Sequence, residues 1–270
     1  MNRDRDAIVR VENLTAAYDD EVIIDNVSFE VQRGEVFVIL GGSGCGKSTL
    51  MKQMIGLVQP ESGSVFIDGD DIVTAEGAQR LTILRKIGVM YQQGALFGSM
   101  TLLENVRLPL EEFTDLPPEA MDLIAQMKLK LVGLNGFQHH MPSELSGGMQ
   151  KRGAIARAMV LDPNILFLDE PSAGLDPITS ADLDELIVDL NRMLNMTFVV
   201  VTHELPSIFR IADRVLVLDA KVKTMVGLDS PVKLRDDSPN EWVRDFFSRK
   251  PTSTANDANQ PVPATAGGKT

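Results

Sequence analysis

Apolar positions follow two rhythms along this chain, and the switch between them divides it. Residues 8–14, 22–24, 27–31 and 36–40 are short apolar or alternating runs broken by polar turns, the period of strands. Residues 64–67, ahead of Asp68-Gly69, predict another strand ending in a tight turn, and 88–91 a short strand running into Gln92. From about 101 to 159 the spacing becomes helical, with Pro117-Pro118 at a helix start and Gly133 and Gly136 as breakers. Strand and helix then alternate: strands over 165–168, 197–201 and 214–218, helices over 181–194 and 205–212. In the first of these helices Leu183, Leu186, Ile187, Leu190 and Leu194 share one face. Such alternation implies a parallel sheet, so the fold class is α/β. Residues 239–247 predict a last amphipathic helix using Trp242, Phe246 and Phe247. The folded unit is expected over 1–250, and 251–270, without apolar periodicity, reads as a disordered tail. No internal repeat is visible.

Composition narrows the class without naming it. With 270 residues, 44% apolar and 24% charged, the chain has material for a sizeable core. No run approaches the ~18–20 apolar residues of a membrane helix, and the start, Met1-Asn2-Arg3-Asp4-Arg5-Asp6, lacks the apolar core of a secretory signal. A cytosolic protein is expected. One cysteine rules out an internal disulfide, and a net charge of −12 argues against general nucleic-acid binding. Much of the acidity lies in 104–122 and 182–189, both read as solvated helix faces.

The chemistry begins where the fourth apolar run ends. Gly41, Gly42, Ser43, Gly44, Cys45, Gly46, Lys47 and Ser48 form G-x-x-x-x-G-K-S, followed by Thr49 and a helix-compatible stretch to Leu57. Glycines there let the backbone curl around an anion, and the helix that begins near Lys47 adds the positive end of its dipole. Lys47 is placed to bridge β- and γ-phosphate oxygens and Ser48 to hold Mg²⁺, so the chain is expected to bind a nucleoside triphosphate. Cys45 is read as a small filler within that loop. A second carboxyl-bearing strand end, residues 165–170, closes on Asp169-Glu170. Asp169 would emerge beside the phosphate loop and hold Mg²⁺, and Glu170 would orient and deprotonate the attacking water.

Further short motifs stand in a fixed order. Leu145-Ser146-Gly147-Gly148-Met149-Gln150 comes about a hundred residues after the phosphate loop. Ala173-Gly174-Leu175-Asp176 follows the carboxylate pair, and His203 follows the apolar run at 198–201. Across roughly residues 8–230 this ordered set closely resembles the ATP-binding subunit of ABC transporters. The resemblance implies a RecA-like P-loop core, an antiparallel β subdomain, and a helical subdomain inserted at about 98–160. It implies Tyr18 against adenine, and Gln92 (or, one residue on, Gln93) as a Mg²⁺ and water contact that relays to a membrane subunit. His203 would touch the γ-phosphate and hold Glu170 in line. Ser146, Gly147 and Gly148 would close over nucleotide on another copy's phosphate loop, with Asp176 at that interface. One phosphate loop and one such loop per chain then call for a second copy.

Cargo is read only from flanking motifs. Residues 91–97, 145–152 and Asp176-Pro177-Ile178-Thr179 look like the Mla/Mce-type lipid transporter ATPases of double-membrane bacteria. That likeness implies ATP and Mg²⁺ as cofactors and a peripheral position on the cytoplasmic side of the inner membrane. It also implies an integral-membrane permease and a periplasmic Mce-type lipid-binding partner. The alternatives are the ATPase of a polar amino-acid or other small-solute importer and a soluble ABC ATPase acting outside transport.

Overall fold

The computed structural model describes residues 6–18 and 21–249; the tail expected at 251–270 lies outside them. Two sheets organise the fold. The strands are β1 (Ala7–Tyr18), β2 (Glu21–Gln32), β3 (Val36–Gly41), β4 (Ser62–Ile67), β5 (Asp70–Asp71), β6 (Ile87–Met90), β7 (Ile165–Asp169), β8 (Thr197–Val201), β9 (Arg214–Asp219) and β10 (Thr224–Asp229). The helices are α1 (Lys47–Met54), α2 (Gly77–Leu84), α3 (Leu102–Phe113), α4 (Pro118–Leu131), α5 (Gly147–Ala158), α6 (Pro177–Leu194), α7 (Leu205–Ile211), α8 (Pro231–Asp237) and α9 (Glu241–Phe247).

An antiparallel sheet of order β2-β1-β4-β5 lies beside a six-stranded sheet of order β10-β9-β3-β8-β7-β6, parallel except at β10. β3 and β8 are buried along their whole length, because side chains on both faces meet a core. Alternation divides β3 between two cores. Val36, Val38 and Leu40 join the helical side with α5 and α6, whereas Phe37 and Ile39 join β1, β2 and α1. The runs at 22–24 and 27–31 belong to one strand, β2. Asn26 sits between them at φ 48°, where the pairing with β1 shifts from Leu14↔Val27 to Ala16↔Ile24, as a bulge does. The turn at Asp68-Gly69 has φ of 51° and 86°, the two positive values of a type I′ hairpin.

The block between β6 and β7 is helical as its spacing predicts. Thr101 caps α3 in a reciprocal box with Glu104, Pro118 opens α4, and Gly133 and Gly136 leave the helix with positive φ. α3, α4 and α5 pack on one another through Leu102, Val106, Met121, Ala125, Leu129 and Ile155. Four elements have no counterpart in the sequence reading: β5, α2, β10 and α8. Two expectations on α6 need correction. Leu194 is 43% exposed, as the last residue of α6 before Asn195 ends the helix in a left-handed turn. Asp184, placed on a solvated face, is 4% exposed because α7 packs over it.

Candidate active site

The parallel order places four chain segments side by side at one end of the sheet. β3 delivers the phosphate loop, β8 delivers Thr202 and His203, β7 delivers Asp169 and Glu170, and β6 delivers the Gln92 turn. This is the carboxyl edge of the strands, where open α/β sheets bind ligands.

In the phosphate loop Gly44 and Gly46 adopt φ of 76° and 95°. A Cβ on Gly46 would lie 2.7 Å from Ile24, so side chains are excluded there, whereas Cβ atoms on Gly42 and Gly44 would meet nothing. The result is a backbone cradle open on one side, a cavity of about 240 Å³ lined by Ile23, Gly44, Gly46, Lys47, Ser48 and Thr49. Helix α1 starts at Lys47 with no side-chain cap and no acidic residue in its first turn, so its leading amides are left to an anion. The Lys47 ammonium folds back to donate to the carbonyls of Gly41 (2.9 Å) and Gly42 (3.0 Å), holding its charge over the cradle. Ser43 and Ser48 are exposed on the loop. Cys45 differs from its neighbours: the thiol is buried against β3 and β9, and burial pushes its pKa up. Only the Cys45 backbone faces the loop's business.

Asp169 ends β7 half-buried, and its Oδ1 has no hydrogen-bond partner among the described residues. Burial, then the charge of Glu170, pushes its pKa up, against Lys52, Lys47 and Lys151. A shielded carboxylate oxygen without a donor costs free energy, and a divalent cation would satisfy it. The donor set of Asp169 and the Ser48 hydroxyl, all oxygen, suits Mg²⁺. Glu170 sits at φ 47°, a left-handed conformation that strains a non-glycine residue. Its amide donates to Val201 O (2.8 Å) on β8, which holds that turn. The His203 ring, 63% exposed, places Nδ1 2.9 Å from the Glu170 carboxylate. Gln92 lies exposed in a turn closed by Gly94 N donating to Tyr91 O (2.7 Å), with Gln93 exposed beside it. Tyr18 closes β1, and its side chain lies outside the described part of the structure.

Residues 146–148 stand apart from the lining of that cradle. Ser146 caps α5, accepting from Met149 N (3.3 Å). A Cβ on Gly148 would lie 2.4 Å from Thr179 Cγ2, and one on Gly147 would lie 3.3 Å from Leu175. This loop therefore abuts the start of α6, where Asp176 caps the helix. Asp176 accepts from Ile178 N (3.0 Å), Thr179 N (3.1 Å) and Thr179 Oγ1 (2.5 Å). The Thr179 hydroxyl and the capped amides hold its carboxyl below the usual range. One chain thus presents a phosphate cradle and, separately, a second exposed helix start.

The profile of the ABC transporter family matches residues 24–173, more than half of the chain. The chain belongs to the ABC transporter family. Its relatives include the probable ribonucleotide transport ATP-binding protein mkl of Mycobacterium leprae, 42% identical over 89% of this chain and 68% of that protein. They also include the intermembrane phospholipid transport system ATP-binding protein MlaF of Escherichia coli K12, 40% identical over 89% of this chain and 88% of that one. Among solved structures, the ATP-binding cassette MJ0796, dimeric and bound to ADP and Pi, superposes with a TM-score of 0.74 at 33% identity. That match covers 82% of this chain and 98% of the other. The fold is that of an ABC ATPase cassette, and ATP hydrolysis is the chemistry of its class.

This ABC ATPase also uses residues that sequence reasoning did not single out. Lys151 on α5 is buried and donates to the Gln92 carbonyl, which pins the turn. Burial lowers the pKa of that ammonium, and Asp169 and Glu170 oppose the shift. Arg157 donates to Gly94 O (2.9 Å) and Ala95 O (2.8 Å). Asn105, wholly buried, bonds both the amide and carbonyl of Phe97, at 2.7 and 3.1 Å, and two carbonyls beyond it. Segment 92–101 is therefore clamped by α3 and α5. Lys151 is the one with a signal in the sequence, a cation directly after Ser146-Gly147-Gly148-Met149-Gln150. Of the three large apolar residues on this segment, Phe97 is half exposed and Leu96 and Met100 are partly covered.

Proposed function

We propose that this chain is the ATPase subunit of a transporter that moves phospholipid or a related lipid between two membranes. The reading of the site rests on one observation above the others: a strained Glu170, oriented by His203, beside a buried Asp169 oxygen and an open phosphate cradle. Residues 41–49 bind the triphosphate, with Lys47 on its β- and γ-oxygens and Tyr18 against the base. Ser48, Asp169 and Gln92 hold Mg²⁺, which neutralises charge developing on the phosphates. Glu170 orients the attacking water and accepts its proton. His203 keeps the Glu170 carboxylate in line and offers its other ring nitrogen to the γ-phosphate. Residues 146–148 and Asp176 act on a second copy's nucleotide, so the working unit holds two chains.

The likeness to the phospholipid transport protein of E. coli, which this chain covers almost end to end, supports the lipid reading. The partners are then an integral-membrane permease, which the 92–101 segment contacts, and a Mce-type periplasmic lipid-binding protein, with the ATPase on the cytoplasmic face. No described helix is long and apolar enough to cross a membrane; in this reading the permease supplies the spanning part. A second reading, a ribonucleotide cargo, is favoured by the name of the mycobacterial relatives. Tagging this chain in its own cells, purifying the assembly from membranes and identifying what accompanies it separates the two. Copurified phospholipid, a secreted lipid-binding protein and ATPase activity that responds to phospholipid support the lipid reading. A soluble nucleotide-binding protein and activity that responds to ribonucleotides sink it.

A further inference from the structure

The turn that carries Gln92 is strained, and one side chain on α5 holds it. Gly94 and Ala95 are consecutive residues in the left-handed region, at φ of 71° and 49°. Glycine adopts that conformation freely, whereas alanine there carries a steric cost. Ala95 is exposed, so packing of its own methyl does not offset that cost. What holds the pair is Arg157, in the last turn of α5. Its guanidinium donates from one nitrogen to Gly94 O (2.9 Å) and from another to Ala95 O (2.8 Å). Both carbonyls of the left-handed pair thus end on one planar fork. The Phe97 ring centroid lies 5.8 Å from the same group.

A cation in the last turn of a helix ordinarily serves that helix's own carbonyl end. Arg157 instead reaches a residue 62 positions earlier in the chain. Burial lowers its pKa, and no carboxylate among the described residues offsets the shift. Holding backbone does not by itself require charge, because the adjoining stretch from Phe97 to Thr101 is held by the neutral amide of Asn105. A charged donor makes the stronger hydrogen bond, which suits a turn that resists its own conformation. Gln92 lies between two fixed points. On one side β6 pairs with β7 up to Met90↔Leu168, and on the other stands the pair that Arg157 grips.

We infer that Arg157 is a positioning residue for hydrolysis: by holding the Gly94–Ala95 turn in its left-handed form, it keeps Gln92 at the end of β6, next to the end of β7. Without that grip the turn relaxes and carries Gln92 away from the site. The inference rests on the reading of Gln92 as a Mg²⁺ contact given above.

The test compares Arg157→Met, Arg157→Met combined with Ala95→Gly, and Gln92→Ala in the full-length chain. Without nucleotide or metal, the Gly94 amide, which donates to Tyr91 O, should exchange with solvent deuterium about tenfold faster in Arg157→Met. The Phe97 amide, held by Asn105, should keep its parent rate. In steady-state ATPase assays Arg157→Met should lose roughly tenfold in kcat, with KM for ATP changed less than about twofold. The Mg²⁺ concentration for half-maximal rate should rise about fivefold, as in Gln92→Ala. Glycine at position 95 removes the strain that Arg157 opposes, so the double variant should regain about threefold or more in kcat and slow the Gly94 exchange again. Should Arg157→Met fail to fold, Arg157→Lys, which keeps the charge without the fork, takes its place in both backgrounds. Parent exchange at Gly94, or parent kcat where Gln92→Ala is impaired, overturns the proposal, and so does a loss of kcat that Ala95→Gly leaves untouched. A Gln92→Ala chain with parent kcat and Mg²⁺ dependence overturns the reading of Gln92 instead.

Discussion

Glu170 carries the sharpest expectation at the scale of single residues. Its carboxylate is oriented by His203 at 2.9 Å and its backbone is held in a left-handed turn by Val201. Glu170→Gln should retain nucleotide binding and lose hydrolysis on the order of a hundredfold or more, as removal of a positioned base does. Lys47→Ala should weaken nucleotide binding itself; phosphate release and nucleotide titration check the pair. Cys45 gives a contrasting result. Since its thiol is buried and its pKa is raised, alkylation of the native chain should be slow with or without Mg-ATP and fast only on unfolding. Rapid, nucleotide-sensitive labelling would mean that the loop opens far beyond the described arrangement. Much of the site is legible from residue types alone, because phosphate and Mg²⁺ chemistry demands glycines, a lysine, a hydroxyl and strand-end carboxylates in a fixed order. Asn105 and Arg157 are not legible that way. They act on backbone carbonyls, and any polar residue can do that, so their types advertise nothing.

At the scale of elements, legibility follows burial. β3, β7 and β8 are covered on both faces and read as unbroken apolar runs. In α2 the one buried side chain is Ile83, and β10 is partly exposed throughout, so neither leaves a period to detect. Asp184 misleads for the opposite reason: its charge reads as solvent-facing, and only the packing of α7 covers it. That burial has a measurable consequence. Burial pushes the Asp184 carboxyl above its ordinary value, against Ser207 and Arg210. The folded state then holds a proton that the unfolded chain has released, so this group's contribution falls as pH rises through the carboxylate range and is constant above it. The stability difference between Asp184→Asn and the parent should therefore move in favour of Asn over that interval, as thermal melts at stepped pH will show. A widening advantage for the parent would contradict it. Gly88 offers a packing test. A Cβ there would lie 2.0 Å from Ala158 O, where β6 meets the end of α5. Gly88→Ala should destabilise the fold by about 1–3 kcal/mol in denaturant melts.

For the whole molecule, the separation of residues 146–148 from the phosphate cradle predicts association that depends on nucleotide. The hydrolysis-deficient Glu170→Gln chain should become a two-copy particle with ATP and return to one copy without it, by light scattering on a sizing column. Ser146→Arg, on the same background, should stay single while keeping its fold. A chain that never pairs, with ATP and with its permease alike, would remove the composite site.

The order of strands in the parallel sheet has one more effect, on how the protein is made. β3 and its phosphate loop leave the ribosome early, yet both strands that flank β3, β8 and β9, come from the last third of the chain. Synthesis runs from the N-terminus, so the newborn β3 waits with two bare edges while the helical block is completed. Hydrolysis cannot begin in this interval, because the histidine beside Glu170 arrives only with the end of β8. A message cut short before that point yields a product with exposed strand edges, which chaperones and proteases recognise, rather than a partial enzyme that drains ATP.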